Sequence, residues 1–457
     1  MSTSASSDVN PKPTASLRWW IASIVVFVLV IIGVIGAAVW YTATPHYKAQ
    51  PAAGPEVQQP VLQAAHPQGP EPDQSALQRA AADPALGQLS AEVTDLTTGH
   101  VVYTSDERRP LVPASSTKVT TFAAAQLALP KDKRVETKVV QGAPGELVIV
   151  GGGDVTLERS PGSGWFTDPA SVQDLAQQVR AALKSQGSDP SQFNRIIIDN
   201  SIRQGSTFNS TWDRADIAGG NVAPLDSVML DAGRQNPQDN YSPRSTTPGD
   251  DVGNALASGL GIRAQVSTSD ESVADPQAQP LGKVESAPLS TRLRDMMLHS
   301  DNIAAEAIAR EVAEAQHQPA TFEGAATATL DLLQSNGFDM QGAVLKDNSG
   351  MSRDNRLNAH ILNSIMAEPK DRDIFDALPV AHGDGSLQTR FGAGSGADSA
   401  AGWVHAKTGT LDGVNALAGT VTSSSGRPYS FAFLSNGTNP DQARPALDRL
   451  AASLHNM

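Results

Sequence analysis

The longest apolar stretch of the chain, "WWIASIVVFVLVIIGVIGAAVWY" (residues 19–41), carries no charge and is long enough to span a bilayer as a helix. Trp19, Trp20, Trp40 and Tyr41 stand at its two ends, where amphipathic rings favour the membrane interface. The apolar core of a secretory signal is usually shorter, about 7–15 residues. The pattern therefore predicts an uncleaved signal anchor, with a cleaved signal peptide as the alternative. Lys12 and Arg18 precede the span and Lys48 follows it. This positive-inside bias places residues 1–18 in the cytoplasm and everything after the span outside the cell membrane. Residues 42–75 are rich in Pro, Ala and Gln without apolar periodicity, and predict an extended linker.

From about Gln74 the pattern becomes that of a folded body. Two strand-like runs, "LSAEVTD" and "HVVYTS", flank a turn at Thr97–Gly99. Pro113 then stops any helix arriving from upstream, and Ser115, Ser116 and Thr117 are cap residues for the Ala/Leu-rich helix behind them. "ELVIVGGGDVTL" (146–157) reads as a strand and a glycine turn; no lysine-bearing helix follows in register, so it is not a phosphate loop. A helix is predicted over 170–186 and a strand over 195–199, and 203–250 is polar and turn-rich. "STRLRDMMLHSDNIAAEAIAREVAEAQ" (290–316) has helical spacing at Leu293, Met296, Met297, Ile303 and Ile308, interrupted at Ser300–Asn302. The C-terminal part predicts three antiparallel strands with turns at Leu411–Gly413 and Ser423–Gly426, then a helix over Pro440–His455. No internal repeat is evident.

Composition narrows the classes. A chain of 457 residues fits two or three domains. A net charge of −14, with no basic stripe, argues against a nucleic-acid partner. There is no cysteine, which excludes disulfide scaffolds, thiolate zinc sites and cysteine nucleophiles.

The candidate chemistry begins in "RPLVPASSTKVTTFAAAQLAL" (109–129), where Ser115 stands three residues before Lys118 at a helix start. A lysine in a first helical turn faces the positive end of the helix dipole. Residues three apart share a helical face, so hydroxyl and amine can touch. Two readings are open: a cap serine beside a solvated lysine, or a nucleophile with its own base. Two further motifs decide between them. Ser300-Asp301-Asn302 lies at the break between helices, and Lys407-Thr408-Gly409, followed by Thr410, lies on a strand. Each is weak alone; in this order and context they form the set of class A β-lactamases and penicillin-binding proteins.

The chemistry needs these residue types. Ser115 loses its proton near neutral pH only to an adjacent base, and Lys118 serves if burial and a second cation, Lys407, lower its pKa. Ser300 can relay a proton to a leaving nitrogen, and Asn302 can hold a substrate amide. The N–H groups of Ser115 and Thr410 suit an oxyanion hole. The hydroxyls of Thr408 and Thr410 beside Lys407 suit a substrate carboxylate.

With these motifs, "EVTDLTTGHVVY", "HSDNIAAEAIAR", "DNSGMSRDNRL", "GDGSLQTRF" and "AKTGTLDGVNALAG" make residues 76–457 resemble the low-molecular-mass class C penicillin-binding proteins, the D-alanyl-D-alanine carboxypeptidase/endopeptidase family. The resemblance implies an α+β fold: a β-lactamase-like transpeptidase domain with a five-stranded antiparallel sheet flanked by helices, interrupted by an inserted β-rich domain. The insertion is expected at 142–245, leaving 76–141 and 246–457 for the catalytic domain. It also implies a carboxypeptidase acting on peptidoglycan stem peptides, with endopeptidase action on cross-links, and inhibited covalently by β-lactam antibiotics. No cofactor or metal is implied: His299 and His405 lie beside two motifs without metal-binding spacing. Asp347 and Ser349 in "DNSG", and Asp384 in "HGDGSL", are either site residues or turn formers. No G-x-S-x-G elbow is present, which weakens an α/β-hydrolase reading. Two rivals stay open. One is a serine β-lactamase, for which Asp354 in "DNRLN" would stand where class A enzymes carry glutamate; the other is a non-catalytic envelope scaffold of the same fold.

Overall fold

The computed structural model describes residues 74–368 and 373–457, so the anchor span at 19–41, the tail before it and all but the last residues of the linker lie outside the described residues. Among the described residues no helix is long and apolar enough to cross a membrane.

A short helix, α1 (Ser75–Ala81), leads into the predicted hairpin of β1 (Gln88–Asp95) and β2 (Val101–Ser105). A 3-10 turn, Ala114–Thr117, precedes α2 (Lys118–Ala128). The expected caps act differently here. The hydroxyls of Ser116 and Thr117 donate back to the carbonyls of Pro113 and Ala114, at 2.7 and 2.9 Å, because the tight turn brings those oxygens within reach first. Every residue of α2 from Lys118 to Ala125 is buried. A helix without a polar face belongs in the interior, and this one carries a lysine there.

Next come β3 (Glu136–Gln141), β4 (Glu146–Gly151), β5 (Asp154–Leu157), α3 (Val172–Ser185), β6 (Arg195–Asp199), α4 (Ala215–Ala218), β7 (Val228–Leu230), α5 (Pro248–Leu260), β8 (Gln265–Ser269) and β9 (Gly282–Glu285). Five of these strands form a mixed sheet in the order β8-β6-β4-β3-β9, in which β8, β6 and β4 are parallel. The expected limits of 142–245 therefore cut through one sheet: β3 lies before them, β8 and β9 after. The inserted segment is α/β rather than β-rich, because parallel neighbours need crossovers, which α3 and α5 provide. Leu175, Val179, Ile196, Ile198 and Leu256 give this sheet a core of its own. Sequence patterning misses β8 because "QVSTS" is a largely exposed edge strand without an apolar face.

The chain returns through α6 (Leu289–His299), α7 (Asn302–Ala315), α8 (Phe322–Ser335), α9 (Ala359–Ala367) and α10 (Asp373–Ala377). It ends in β10 (Val404–Leu411), β11 (Val414–Thr422), β12 (Pro428–Asn436) and α11 (Pro440–His455). The principal sheet runs β10-β11-β12-β1-β2 and is antiparallel throughout, as expected. Alternation along its strands splits two cores. Leu417, Val421, Phe431 and Phe433 pack with Leu447, Leu450 and Leu454 of α11. On the opposite face Ala416, Ala418 and Ala432 are small enough to admit buried helices, among them α2 and α9. β10 is the edge strand nearest the Ser115 turn, on which it packs.

Candidate active site

The three motifs converge on two buried amines. Lys118 is completely buried, and its Nζ lies 3.1 Å from Ser115 Oγ, 2.6 Å from Asn302 Oδ1 and 2.6 Å from the carbonyl oxygen of Ser349. Lys407, also completely buried, donates to Ser300 Oγ at 2.8 Å and to its neighbour's carbonyl, Thr408 O, at 2.9 Å. Burial lowers both amines. Lys118 falls to about 8 although the carboxylates of Asp301 and Asp347 pull the other way. Lys407 falls well below the ordinary lysine range, through burial first and the Lys118 charge second. The solvated-lysine reading of Lys118 is excluded by its burial.

Lys118 has acceptors for either protonation state. An ammonium donates to all three. A neutral amine gives its two N–H groups to Asn302 and Ser349, which leaves its lone pair aimed at the Ser115 hydroxyl. Ser115 itself is only partly buried, so a substrate carbonyl can reach it.

Local folding explains each placement. Ala114, just before Ser115, has φ +47°. The turn Asp347–Gly350 is packed against it: Gly350 has φ +88°, and a Cβ there would sit 1.9 Å from Ala114 O. Asp347 ties that turn together, accepting from Gly350 N, Ser352 N, Trp212 Nε1 and Asn355 Nδ2. In this stretch Asp347 is a turn former, and Ser349 meets Lys118 through its backbone carbonyl. Gly409 brings β10 against the turn that carries Ser115, where a Cβ would lie 2.6 Å from Pro113 O. Ser300 ends α6 in the left-handed region at φ +57°, and Asp301 caps α7 by accepting from Ala304 N.

Of the remaining motif residues, Thr408 Oγ1 donates to Ser386 Oγ at 2.7 Å. Thr410 lies at the strand's far end, where its hydroxyl accepts from Arg444 Nε at 3.4 Å. Asp384 accepts from Val380 N, a turn role, and His299 packs edge-on against Trp165. Among the described residues there is no cluster of three metal-ligating side chains. Asp354 is exposed.

Sequence reasoning missed four contributors. Asn221, from the inserted segment, accepts Asn302 Nδ2 on its carbonyl at 3.0 Å. Arg234 and Arg244, from the same segment, clamp the fully buried Asp301 at 2.8 and 3.6 Å. Burial alone would raise the Asp301 carboxyl, yet the two guanidiniums hold it well below the usual carboxylate range. Ser386 joins the Lys407 side. Only "GDGSL" hinted at any of these; the two arginines sit in a polar, turn-rich stretch that gives no signal until the chain is folded.

Comparison with known proteins shows the family. The description of the D-Ala-D-Ala carboxypeptidase 3 (S13) family matches residues 73–247 and 240–457. Carboxypeptidase DacB of Mycolicibacterium smegmatis is 41% identical over 97% of this chain and 98% of its own length. Carboxypeptidase Rv3627c of Mycobacterium tuberculosis is 41% identical over 83% of each. Among solved structures, penicillin binding protein 4 (dacB) from Haemophilus influenzae superposes with a TM-score of 0.67 at 22% identity, over 84% of this chain and 99% of its own, and so shares the fold. With its motif serines, amide and lysines gathered as described, the chain belongs to the D-Ala-D-Ala carboxypeptidase 3 (S13) family.

Proposed function

We propose that this protein cleaves the terminal D-Ala-D-Ala bond of peptidoglycan stem peptides through an acyl-enzyme on Ser115. The observation that carries the assignment is the amine of Lys118, buried, lowered and held 3.1 Å from the Ser115 hydroxyl. As Ser115 Oγ bonds to the carbonyl carbon of the penultimate D-Ala, neutral Lys118 takes its proton. The N–H groups of Ser115 and Thr410 receive the oxyanion, an interaction whose single donors are typically worth about 10²–10³ in rate. The proton passes by way of Ser300 to the leaving nitrogen, the C–N bond breaks, and D-Ala departs. Water then attacks the ester, giving up a proton to Lys118 while Ser115 regains one.

Substrate binding falls to the Lys407 side. Lys407 and the hydroxyls of Thr408 and Thr410 meet the terminal carboxylate. Asn302 keeps one N–H for a substrate amide, its other being spent on Asn221. Residues 379–381 already pair with Val404–Ala406. From Lys407 onward β10 remains an edge, along which an extended peptide can add as a strand. The names of the two mycobacterial relatives, both carboxypeptidases, support this reading.

A β-lactam should acylate Ser115 by the same steps, its opened ring staying tethered where D-Ala would leave. Rapid release of that adduct needs a base placed to activate water beside the ester, and the carboxylate that the sequence offers for it, Asp354, is exposed to solvent. A long-lived penicilloyl adduct is expected. Fast catalytic hydrolysis of penicillin, followed by absorbance of the β-lactam ring, would turn the assignment to a β-lactamase.

The same proposal places the body outside the cell membrane on a single N-terminal span, resting on the uncharged run at 19–41 and its flanking basic residues. Protease added to intact cells making the full chain should digest the body. A mature soluble protein beginning near residue 45 would remove the anchor from the account.

A further inference from the structure

Glu306 is completely buried on α7, one helical turn beyond Asn302, and touches neither Ser115 nor Lys118 in any direct bond. Its Oε1 accepts two consecutive backbone N–H groups, Asn348 N at 2.9 Å and Ser349 N at 2.7 Å, while Oε2 is buried without a partner. The next carbonyl along, Ser349 O, is the one that accepts from Lys118 Nζ at 2.6 Å. From the two N–H groups held on one buried oxygen, the shared helical face and the close packing of the turn against Ala114, we infer that Glu306 is the positioning residue for Lys118, acting through the 348–349 backbone.

Positions i and i+4 of a helix lie on one face. From that face α7 supplies both acceptors that a neutral Lys118 amine needs: Asn302 Oδ1 directly, and Ser349 O through Glu306. The 349–350 peptide that carries Ser349 O is held by Asp347 through Gly350 N, but without Glu306 the N–H groups of Asn348 and Ser349 lose their acceptor, so the two peptide units that lead to that oxygen can shift. The amine would then have no reason to keep its lone pair on Ser115. The residue after Ser349, Gly350, is wedged against Ala114 and donates its N–H to Asp347, so the turn that Glu306 and Asp347 hold together abuts the backbone beside Ser115. Burial, and then the neighbouring Asp347 charge, raise the Glu306 carboxyl to about 8, against the hydrogen bonds of Ser349 and the Arg310 charge. Near neutral pH it is chiefly the uncharged acid, which glutamine imitates.

The inference rests on acylation of Ser115 as proposed above, so wild-type protein is the control. Penicillin labelling of the full-length chain gives both the acylation rate at saturation and the non-covalent affinity. Glu306→Ala should slow acylation by about 10²-fold, the usual effect of a reacting group misplaced by roughly 1 Å. Affinity should stay within about twofold, because Glu306 does not contact the Lys407 side. Glu306→Gln should restore the rate to within about threefold, since its amide oxygen can accept both N–H groups. Glu306→Asp, which fills the site but withdraws the oxygen by one methylene, should be slowed like alanine and serves if the alanine variant does not fold. Folded alanine and aspartate variants labelling at the wild-type rate, or a glutamine variant as slow as alanine, would overturn the inference. A wild-type protein that takes no label on Ser115 would instead overturn the assignment on which it rests, and the inference with it.

Discussion

Lys118→Met should lower the rate at which penicillin acylates Ser115 by about 10²–10⁴-fold, the range that a positioned general base contributes, while leaving the protein folded. Methionine keeps an unbranched chain of similar length and removes the amine. It leaves Asn302 Oδ1 and Ser349 O without their buried donor, at about 1–3 kcal/mol for such an unmade bond, a loss the fold should survive. The same amine dictates the pH dependence. Lys118 is lowered to about 8, and only its neutral form takes a proton, so the wild-type acylation rate should climb as pH rises through about 8. In the methionine variant that limb should vanish. Stopped-flow labelling across pH 6–9.5 (roughly the span that brackets the limb on both sides) measures both. A methionine variant labelled at the wild-type rate would show that Lys118 is not the base.

The second large effect is expected at Asp301, which lies between Ser300 and Asn302 and whose carboxylate is fully buried. Asp301→Ala leaves Arg234 and Arg244 buried without their ion-pair partner, facing only the more weakly coupled charge of Asp231, and removing one partner of a buried pair typically destabilises by about 3–5 kcal/mol. It also removes the cap of α7, worth about 1 kcal/mol by itself. The helix start that carries Asn302 and the left-handed Ser300 should loosen together. Thermal unfolding with penicillin labelling of the remaining folded protein separates the consequences: a much lower Tm is expected, with slowed acylation well below it. An alanine variant within about 1 kcal/mol of wild type would mean that the clamp contributes nothing net to stability, as some buried ion pairs do.

What could be read from the sequence was what is local. The helix break at Ser300–Asn302, the final strands with their turns, and the Ser115/Lys118 spacing all depend on residues a few positions apart, and the structure places them as the pattern implied. The link between the motifs also emerged, because ordered S-x-x-K, S-x-N and K-T-G demand one constellation. What stayed hidden is long-range. Arg234 to Asp301 and Glu306 to Ser349 are contacts whose partners are far apart in the chain, and buried charges carry no periodic signal. The limits of the inserted segment were misplaced for a related reason. Its edge strands β8 and β9 are short and mostly exposed, so apolar alternation fades where the sheet continues.

The central claim is that Ser115 opens a D-Ala-D-Ala bond with Lys118 as its base. The most direct measurement is mass spectrometry of a stem pentapeptide ending in D-Ala-D-Ala after incubation with the full-length protein and, in parallel, with its Ser115→Ala variant. The account predicts a tetrapeptide and free D-Ala from the wild-type protein, and intact pentapeptide from the variant. Equal release by both, or intact peptide with a wild-type protein that penicillin labels on Ser115, would contradict it.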